Sequence, residues 1–280
     1  MNKITEKDIS FVIVTYKSNN LIFDCLNSLP KQPKKIIVEN SDNVNFKVKL
    51  ENDYLNLDCF LMKRNYGYGA ANNFGIRKCE TKYVIILNPD VKFRNYTMND
   101  ILNIINNNNF DIGAPINFND KNNYDFKNKK VKEVDYVKGF AIIVKKNFFL
   151  QYKFDENFFL YLEEIDLCKR IINNRKKIFL LNTHVDHIGG ASHDVEHDIE
   201  MENSRNWHWM WSKFYYHKKH NGYFFSFIKT FPNFVNSIFK FLLFSIVGEE
   251  QNKNKYKMRT LGLLNSYLLK KSSFRPFEVN

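Results

Sequence analysis

Near the middle of the chain, Glu163-Glu164-Ile165-Asp166 sets three carboxylates behind the apolar run Phe158-Phe159-Leu160-Tyr161-Leu162. Acids beside that much apolar surface are costly unless a partner, a metal or a reaction uses them. The next six residues, Leu167-Cys168-Lys169-Arg170-Ile171-Ile172, have helical spacing. On a helix Glu163 and Asp166 share a face, and Asp166 finds an ion-pair partner one turn on in Arg170. Glu164 meets only Leu167 and Cys168 at that distance. It is the acid with no ordinary explanation, and so the candidate general base.

Three other clusters have chemical potential. Asn88-Pro89-Asp90 closes the apolar run Tyr83-Val84-Ile85-Ile86-Leu87. Open α/β sheets hold ligands at the carboxyl ends of their strands, and an Asp there can set a hard cation against a diphosphate. The same three residues are also good turn chemistry, and both readings stand. His187-Ile188-Gly189-Gly190 follows a strand-like run, where the glycines would let a ligand approach the backbone. The alternative is a histidine satisfied at a strand end. His184, Asp186, His193 and His197 lie close by without a standard zinc spacing. The segment from Asn65 to Gly75 opens a helix with small residues, but it lacks a Gly-Lys-Ser/Thr phosphate loop and the dinucleotide glycine spacing. That leaves a phosphate or sugar received at the helix start, or close packing of helix on sheet.

The elements that must position these groups alternate. Ile9–Val14 reads as a buried strand, and Leu21, Ile22, Cys25, Leu26 and Leu29 form one face of a helix. Strands follow at Ile36–Val38 and Asp58–Met62, a helix over about Tyr68 to Cys79, and a strand at Tyr83–Leu87. Thr97 and Asp100 offer a capping box for a helix carrying Ile101, Leu102, Ile104 and Ile105. Residues 117–132, rich in Asn, Asp and Lys, read as a surface loop. Val134–Val144 returns to a strand-like pattern around Gly139, and Ile178–Leu181 repeats it. This alternation predicts an α/β fold with a mostly parallel sheet flanked by helices.

The chain has 280 residues, 44% of them hydrophobic and 27 of them Phe, enough to bury a sizeable core. A formal charge of +12 favours anionic partners. Cys25, Cys59, Cys79 and Cys168 show no metal spacing and read as reduced thiols. The polar, acid-containing start Met1–Asp8 carries no secretory pattern, which predicts a cytoplasmic protein.

Six segments in order give the chain a resemblance to glycosyltransferase family 2, within it the bacterial rhamnosyltransferase-like branch. They are Val12-Ile13-Val14-Thr15-Tyr16, Ile37-Val38-Glu39-Asn40-Ser41, Asn65 to Gly75, Leu87-Asn88-Pro89-Asp90, Phe158 to Arg170, and His187-Ile188-Gly189-Gly190-Ala191-Ser192. A weaker echo lies at Arg259-Thr260-Leu261-Gly262-Leu263-Leu264. The resemblance implies a nucleotide-sugar-binding GT-A fold over residues 1–205 and an inverting sugar transfer. It implies a nucleotide-sugar donor and a glycan or lipid-linked acceptor of surface-polysaccharide assembly. By the same resemblance Thr15, Tyr16, Glu39, Asn40, Asn65, Gly67, Asn73 and Asn88 lie on the donor side, and Gly139, Glu163 and Asp166 on the acceptor side. Glu164 matches the base, and Asp90 and His187 match ligands for Mg²⁺ or Mn²⁺. The chain departs from the family in carrying Asn88, Glu39 and Glu164 where Asp is commoner. A catalytically inactive sugar-nucleotide-binding subunit is the alternative that Asn88 suggests. A nucleotidyltransferase is disfavoured, since no Gly-rich, Arg-containing amino-terminal loop is present.

Residues 206–280 change character to aromatic and basic. Phe224, Phe227, Ile228, Phe231, Phe234, Val235, Ile238, Phe239 and Leu242 fall near helical spacing, interrupted by Lys229, Pro232, Asn233, Asn236 and Lys240. These interruptions argue against a transmembrane helix and for an amphipathic one. It would lie on an anionic membrane at the inner face of the cell, or on the catalytic domain or a second copy of the chain. Trp207-His208-Trp209-Met210-Trp211 with the basic charge raises nucleic-acid binding. No recognised module accompanies it, and no nucleic-acid partner is expected.

Overall fold

A computed structural model describes residues 3–18, 20–122, 124–189 and 198–275. Gly190, Ala191, Ser192, His193 and His197 therefore lie outside the described residues. The chain divides into two compact units, Met1–Phe154 with Glu164–Asp194, and Asp155–Glu163 with Val195–Asn280. The second unit thus takes in a segment from well before the residue 205 boundary expected from sequence.

The first unit is built on a sheet of nine strands among the described residues. In chain order these are β1 (Ile9–Thr15), β2 (Lys34–Glu39), β3 (Leu57–Leu61), β4 (Tyr83–Leu87) and β5 (Val91–Phe93). Then come β6 (Ile112–Asn117), β7 (Val131–Val134), β8 (Ala141–Lys145) and β9 (Ile178–His187). Its helices are α1 (Leu21–Ser28), α2 (Val44–Asp53), α3 (Tyr68–Lys78), α4 (Thr97–Asn107), α5 (Lys146–Tyr152) and α6 (Glu163–Asn173). The strand order is β3-β2-β1-β4-β8-β6-β9-β5, with β7 added on β9.

All seven residues of β1 are buried, as expected for a strand covered on both faces. Side chains alternate, so Phe11 and Ile13 enter one core and Val12 and Val14 the other. β1, β2, β3 and β4 run parallel, β8 is antiparallel to β4, β6 antiparallel to β8, and β9 parallel to β6. β9 therefore runs with β4. The carboxyl ends of β1, β2, β4 and β9 and the amino end of β8 all reach the same edge of the sheet.

Some local expectations fail for visible reasons. α2 shows little apolar periodicity because it buries only Phe46 and Leu50; Asn43 caps it by accepting from the Phe46 N–H at 3.0 Å. β7 begins inside the expected loop, and its pairing with β9 makes it a strand. The Thr97–Asp100 capping box does not form, since Thr97 is already the first helical residue. Its hydroxyl donates to the His184 carbonyl at 2.6 Å, and Asp100 accepts from Thr183 Oγ1 at 3.1 Å, so both tie α4 to β9. The four cysteines are free and buried, and burial pushes the Cys59, Cys79 and Cys168 thiols up to about 12.

The second unit contains α7 (Asp198–Asn221), α8 (Tyr223–Val247) and α9 (Glu250–Tyr267). Its core gathers Met210, Phe214 and Leu263, with Phe227, Phe234 and Tyr267 against them. Trp207 and Trp211 are buried, and the Trp211 Nε1–H donates to the Lys270 carbonyl at 3.1 Å. Gly262 lets α9 cross α7 closely, because a β-carbon there would meet the Trp207 carbonyl oxygen at 2.2 Å. α8 continues through Pro232, and an 18-residue window reaches a mean hydropathy of 1.3. By length and composition alone it is long and apolar enough to cross a membrane, despite its interruptions.

Candidate active site

Five segments meet at the sheet edge just described. Thr15 ends β1 with its backbone carbonyl accepting from the Asn40 N–H at 2.8 Å; its buried Oγ1 has no partner among the described residues. Asn40, just past β2, knits the neighbouring turn. Its Nδ2 donates to Asn65 Oδ1 at 2.8 Å, and its Oδ1 accepts from the Tyr66 N–H at 3.1 Å. Asn65 Oδ1 also accepts from the Gly67 N–H at 2.9 Å. Gly67 precedes α3 with φ +85°, a conformation that a side chain would disfavour. Tyr16 lies next to this cluster and is partly exposed.

Two residues expected on the donor side also make structural hydrogen bonds. The buried Glu39 carboxylate accepts from the Asn43 N–H at 2.8 Å and from the Ser41 N–H and hydroxyl, so it shapes the loop into α2. Asn73 spends both amide atoms on the Phe154 backbone, donating to its carbonyl at 2.9 Å and accepting from its N–H at 3.0 Å. It is a brace inside the unit. Its neighbour Asn72, unnoticed in the sequence, has a buried Oδ1 with no partner among the described residues.

Beyond β4, the Asn88 N–H donates to the Phe140 carbonyl at 2.9 Å, which fixes the Asn-Pro-Asp turn to the start of β8. Asn88 Oδ1 is buried and without a partner among the described residues. Such an atom costs about 1–3 kcal/mol when left without water or another partner. Asp90 is buried, and its Oδ2 stands 3.5 Å from His187 Nε2. The two come together because β5 and β9 pair with Val91 opposite His187. The His187 ring stacks on Phe140 at 4.6 Å. Asn117 holds its backbone from both sides, accepting from its N–H and donating to its carbonyl at 3.2 Å each.

A carboxylate and an imidazole this close suit one divalent cation that keeps other positions for water and phosphate oxygens. Among the described residues, no group of three or more His, Cys, Asp or Glu side chains gathers for a metal. Asp186 is instead paired with Arg94 at 2.7 Å, and the His184 ring lies edge-on to Phe118.

Glu164 stands at the start of α6, under Gly139: a β-carbon on Gly139 would sit 3.5 Å from Glu164 Cγ. The Tyr68 hydroxyl donates to the Gly139 carbonyl at 2.7 Å, so α3 holds this loop down. Burial pushes the Glu164 carboxyl above the ordinary carboxylate range, against the N–H groups of Glu164 and Ile165, which favour its charged form. Asp166 is fully buried and receives Arg170 Nε–H at 2.8 Å, the pair expected from their spacing. The same guanidinium donates to the Tyr152 and Lys153 carbonyls, locking α6 to the end of α5. Glu163 is buried in the first turn. Tyr161 and Leu162, just before it, both adopt positive φ, +71° and +68°. Two consecutive non-glycine residues there store strain of about 1–3 kcal/mol each.

Residues 10–179 match the model of the family described as Glycosyl transferase family 2. The chain belongs to this family. It is 25% identical over 189 residues to a low-salt glycan biosynthesis hexosyltransferase of Haloferax volcanii, which covers 58% of the chain and 61% of that relative. Its fold is similar to residues 1–349 of TarS from S. aureus, with a TM-score of 0.54, 15% identity and coverage of 96% and 94%. It is similar also to GalNAc-T7 crystallised with UDP, GalNAc and Mn²⁺, with a TM-score of 0.54, 13% identity and coverage of 64% and 42%. These likenesses identify the sheet with the GT-A folds of the family's structural neighbours.

The family's sequence motifs pointed to Glu164, Asp90 and His187 but not to the residues that join them. Phe140 and Asn117 carry no motif, and Tyr68, though inside the Asn65 to Gly75 segment, is not singled out there. Only the adjacency of Phe140 to Gly139 could have singled it out.

Proposed function

We propose that the protein moves a hexosyl group from a nucleotide-diphosphate sugar to a hydroxyl of a glycan acceptor, free or lipid-linked, with inversion at the anomeric carbon. The observation that carries the reading is the Gly139-Phe140 hinge. Phe140 stacks on His187 beside Asp90, while Gly139 covers Glu164. A candidate cation pair and a candidate base thus flank two consecutive residues.

In this reading Thr15, Asn40, Asn65 and Gly67 shape the nucleotide side, and the open oxygen of Asn88 meets the donor. Asp90 and His187 would hold Mg²⁺ or Mn²⁺, which would supply positive charge to the departing nucleotide diphosphate. Glu164 takes the proton from the acceptor hydroxyl as its oxygen attacks the sugar from the face opposite the leaving group. Its raised affinity for a proton, caused by burial, makes it a stronger base than an exposed carboxylate. Gly139, having no side chain, adds no bulk beside that carboxylate where an acceptor would approach. Asp166, committed to Arg170, fixes the helix that presents Glu164. Rhamnose is the sugar suggested by the branch resembled, and other hexoses fit the same chemistry.

The test is a screen of nucleotide sugars, scoring nucleotide release with Mg²⁺, with Mn²⁺ and with a chelator. Solved neighbours hold UDP and UDP-GlcNAc, so uridine diphosphate sugars come first. Release from one donor class, lost on chelation, is the expected result. Donor binding without release in the presence of acceptor glycans would make the chain a binding subunit and overturn the reading.

A further inference from the structure

α8 is built inside out. Its buried positions are the small polar Ser226, Thr230 and Ser237, while Phe224, Ile228, Phe231, Val235, Phe239, Leu242 and Ile246 are exposed. The exposed residues follow one another at three- and four-residue steps, so they form one stripe along the helix. Each buried small residue lies two positions after a member of that stripe, about 200° around the axis. The exposure is large where it is greatest, 75% for Phe224 and 86% for Ile246. In water this arrangement forfeits the main driving force of folding, since the large apolar groups are the ones left wet. Small polar residues at helix contacts with large apolar ones turned outward is the pattern of a helix whose outer solvent is lipid.

The inner face is occupied by its own unit. Thr230 Oγ1 meets the Tyr267 hydroxyl at 3.0 Å, Phe227 and Phe234 pack on the Tyr267 ring, and Phe244 stacks on Tyr256 at 5.7 Å. Lys240 reaches the Tyr256 hydroxyl at 3.1 Å, and Lys213 reaches Asn233 at 2.9 Å. α9 therefore runs antiparallel along α8. That companion decides how deep α8 can go. α9 carries Glu250, Gln251, Asn252, Lys253, Asn254, Lys255, Lys257 and Arg259, which a hydrocarbon core would not accept. A helix tied along its length to such a neighbour lies in the interface plane and does not cross.

Charge selects the kind of surface. From residue 198 to 275 the sequence has thirteen Lys and Arg against five Asp and Glu. Basic side chains beside an apolar helix face add attraction to anionic headgroups. We propose that the exposed stripe of α8 seats this protein on an anionic lipid bilayer, parallel to the membrane plane. The inference stands on the second unit alone and is independent of the transfer reaction proposed above.

The experiment uses the full chain and vesicles of phosphatidylcholine with or without phosphatidylglycerol, read by co-sedimentation at about 0.1 M salt, where the screening length is ~10 Å. The protein should sediment with the anionic vesicles and much less with neutral ones. A variant with Ile228→Glu, Phe239→Glu and Ile246→Glu should lose more than about tenfold in partitioning. All three side chains are exposed, so its melting temperature and nucleotide-sugar binding should hold, and unchanged melting confirms that it is folded. Carbonate at high pH should release the wild-type protein from the vesicles. No sedimentation of the wild type, or equal sedimentation of the variant, overturns the proposal. So does a wild-type dimer, without vesicle binding, that the variant makes monomeric, because a second copy would then cover the stripe. Retention after carbonate overturns the in-plane placement.

Discussion

The sheet edge of the first unit and helix α8 of the second break the same rule in opposite ways. At the sheet edge, polar atoms are buried that nothing among the described residues satisfies, Thr15 Oγ1, Asn72 Oδ1 and Asn88 Oδ1 among them. On α8, large apolar side chains are exposed while Ser226, Thr230 and Ser237 are buried. Both departures cost stability in isolation, the first through unmade hydrogen bonds and the second through wet hydrocarbon. In the readings proposed above, a small polar ligand would answer the first and lipid the second. A surface read only by its composition would have shown neither, since each shows only in which side chains are turned in and which out.

The largest expected effect separates the two regions chemically. Glu164→Gln keeps the size of the side chain and removes its basicity, so transfer should fall by about 10²–10⁴-fold. Donor affinity, measured by calorimetry, and vesicle sedimentation should stay as they are. In the wild type, the rate should rise with pH through a value above the ordinary carboxylate range, because the base acts only once deprotonated. Full transfer by the Gln variant would remove Glu164 from the chemistry.

A second substitution strikes the helical unit. Gly262→Ala would drive a β-carbon to 2.2 Å from the Trp207 carbonyl oxygen, a backbone atom that cannot rotate away. Separation of α7 from α9 should cost about 1–3 kcal/mol, read as a lower midpoint in urea. Gly75→Ala in the first unit makes the informative contrast. Its β-carbon would meet the side chains of Val12 and Val38 at 2.6 and 2.9 Å, and side chains can shift. It should therefore cost less than Gly262→Ala. The reverse order would show that the sheet is the stiffer of the two regions.

The last effect is a pH dependence of the second unit. Burial holds His208 down to about 3, with the Phe274 carbonyl opposing and Arg275 reinforcing the shift. Its Nε2–H donates to Phe274 O at 2.9 Å, so Nδ1 accepts from the Ser272 hydroxyl at 3.0 Å and the ring is neutral. The unfolded chain takes up a proton as pH falls below its ordinary value, and the folded chain does not until near 3. Stability should therefore drop by ~2 kcal/mol between pH 7 and pH 5 from this residue alone. His208→Gln should flatten that slope in thermal melts, and an unchanged slope would assign it elsewhere.

How much of this was legible in the sequence depended on the range of the interaction. The Asp166–Arg170 pair could be written down at once, since four residues on a helix is a fixed distance. The buried strands announced themselves through unbroken apolar runs, and the ordered motifs announced the family. α2 escaped because two buried residues in ten leave almost no pattern. Glu39 and Asn73 sat in family motifs, and the bonds that one makes to its own loop and the other to Phe154 were not legible there. The phenylalanines of α8 were visible as a helical stripe, but the sequence is silent on which side of a stripe is turned outward.

By itself, then, the sequence determined the alternating strands and helices, the local ion pair of α6 and the order of motifs, because these follow from chain geometry over a few residues. Only the tertiary structure decided that Asp90 and His187 meet, that Phe140 stands against that histidine, and that Gly139 covers Glu164. These contacts depend on which strands pair, and in what register, across separations that no local pattern encodes. The same holds for α8. Its apolar face is exposed because α9 takes the small polar one, a choice made by packing and not by periodicity.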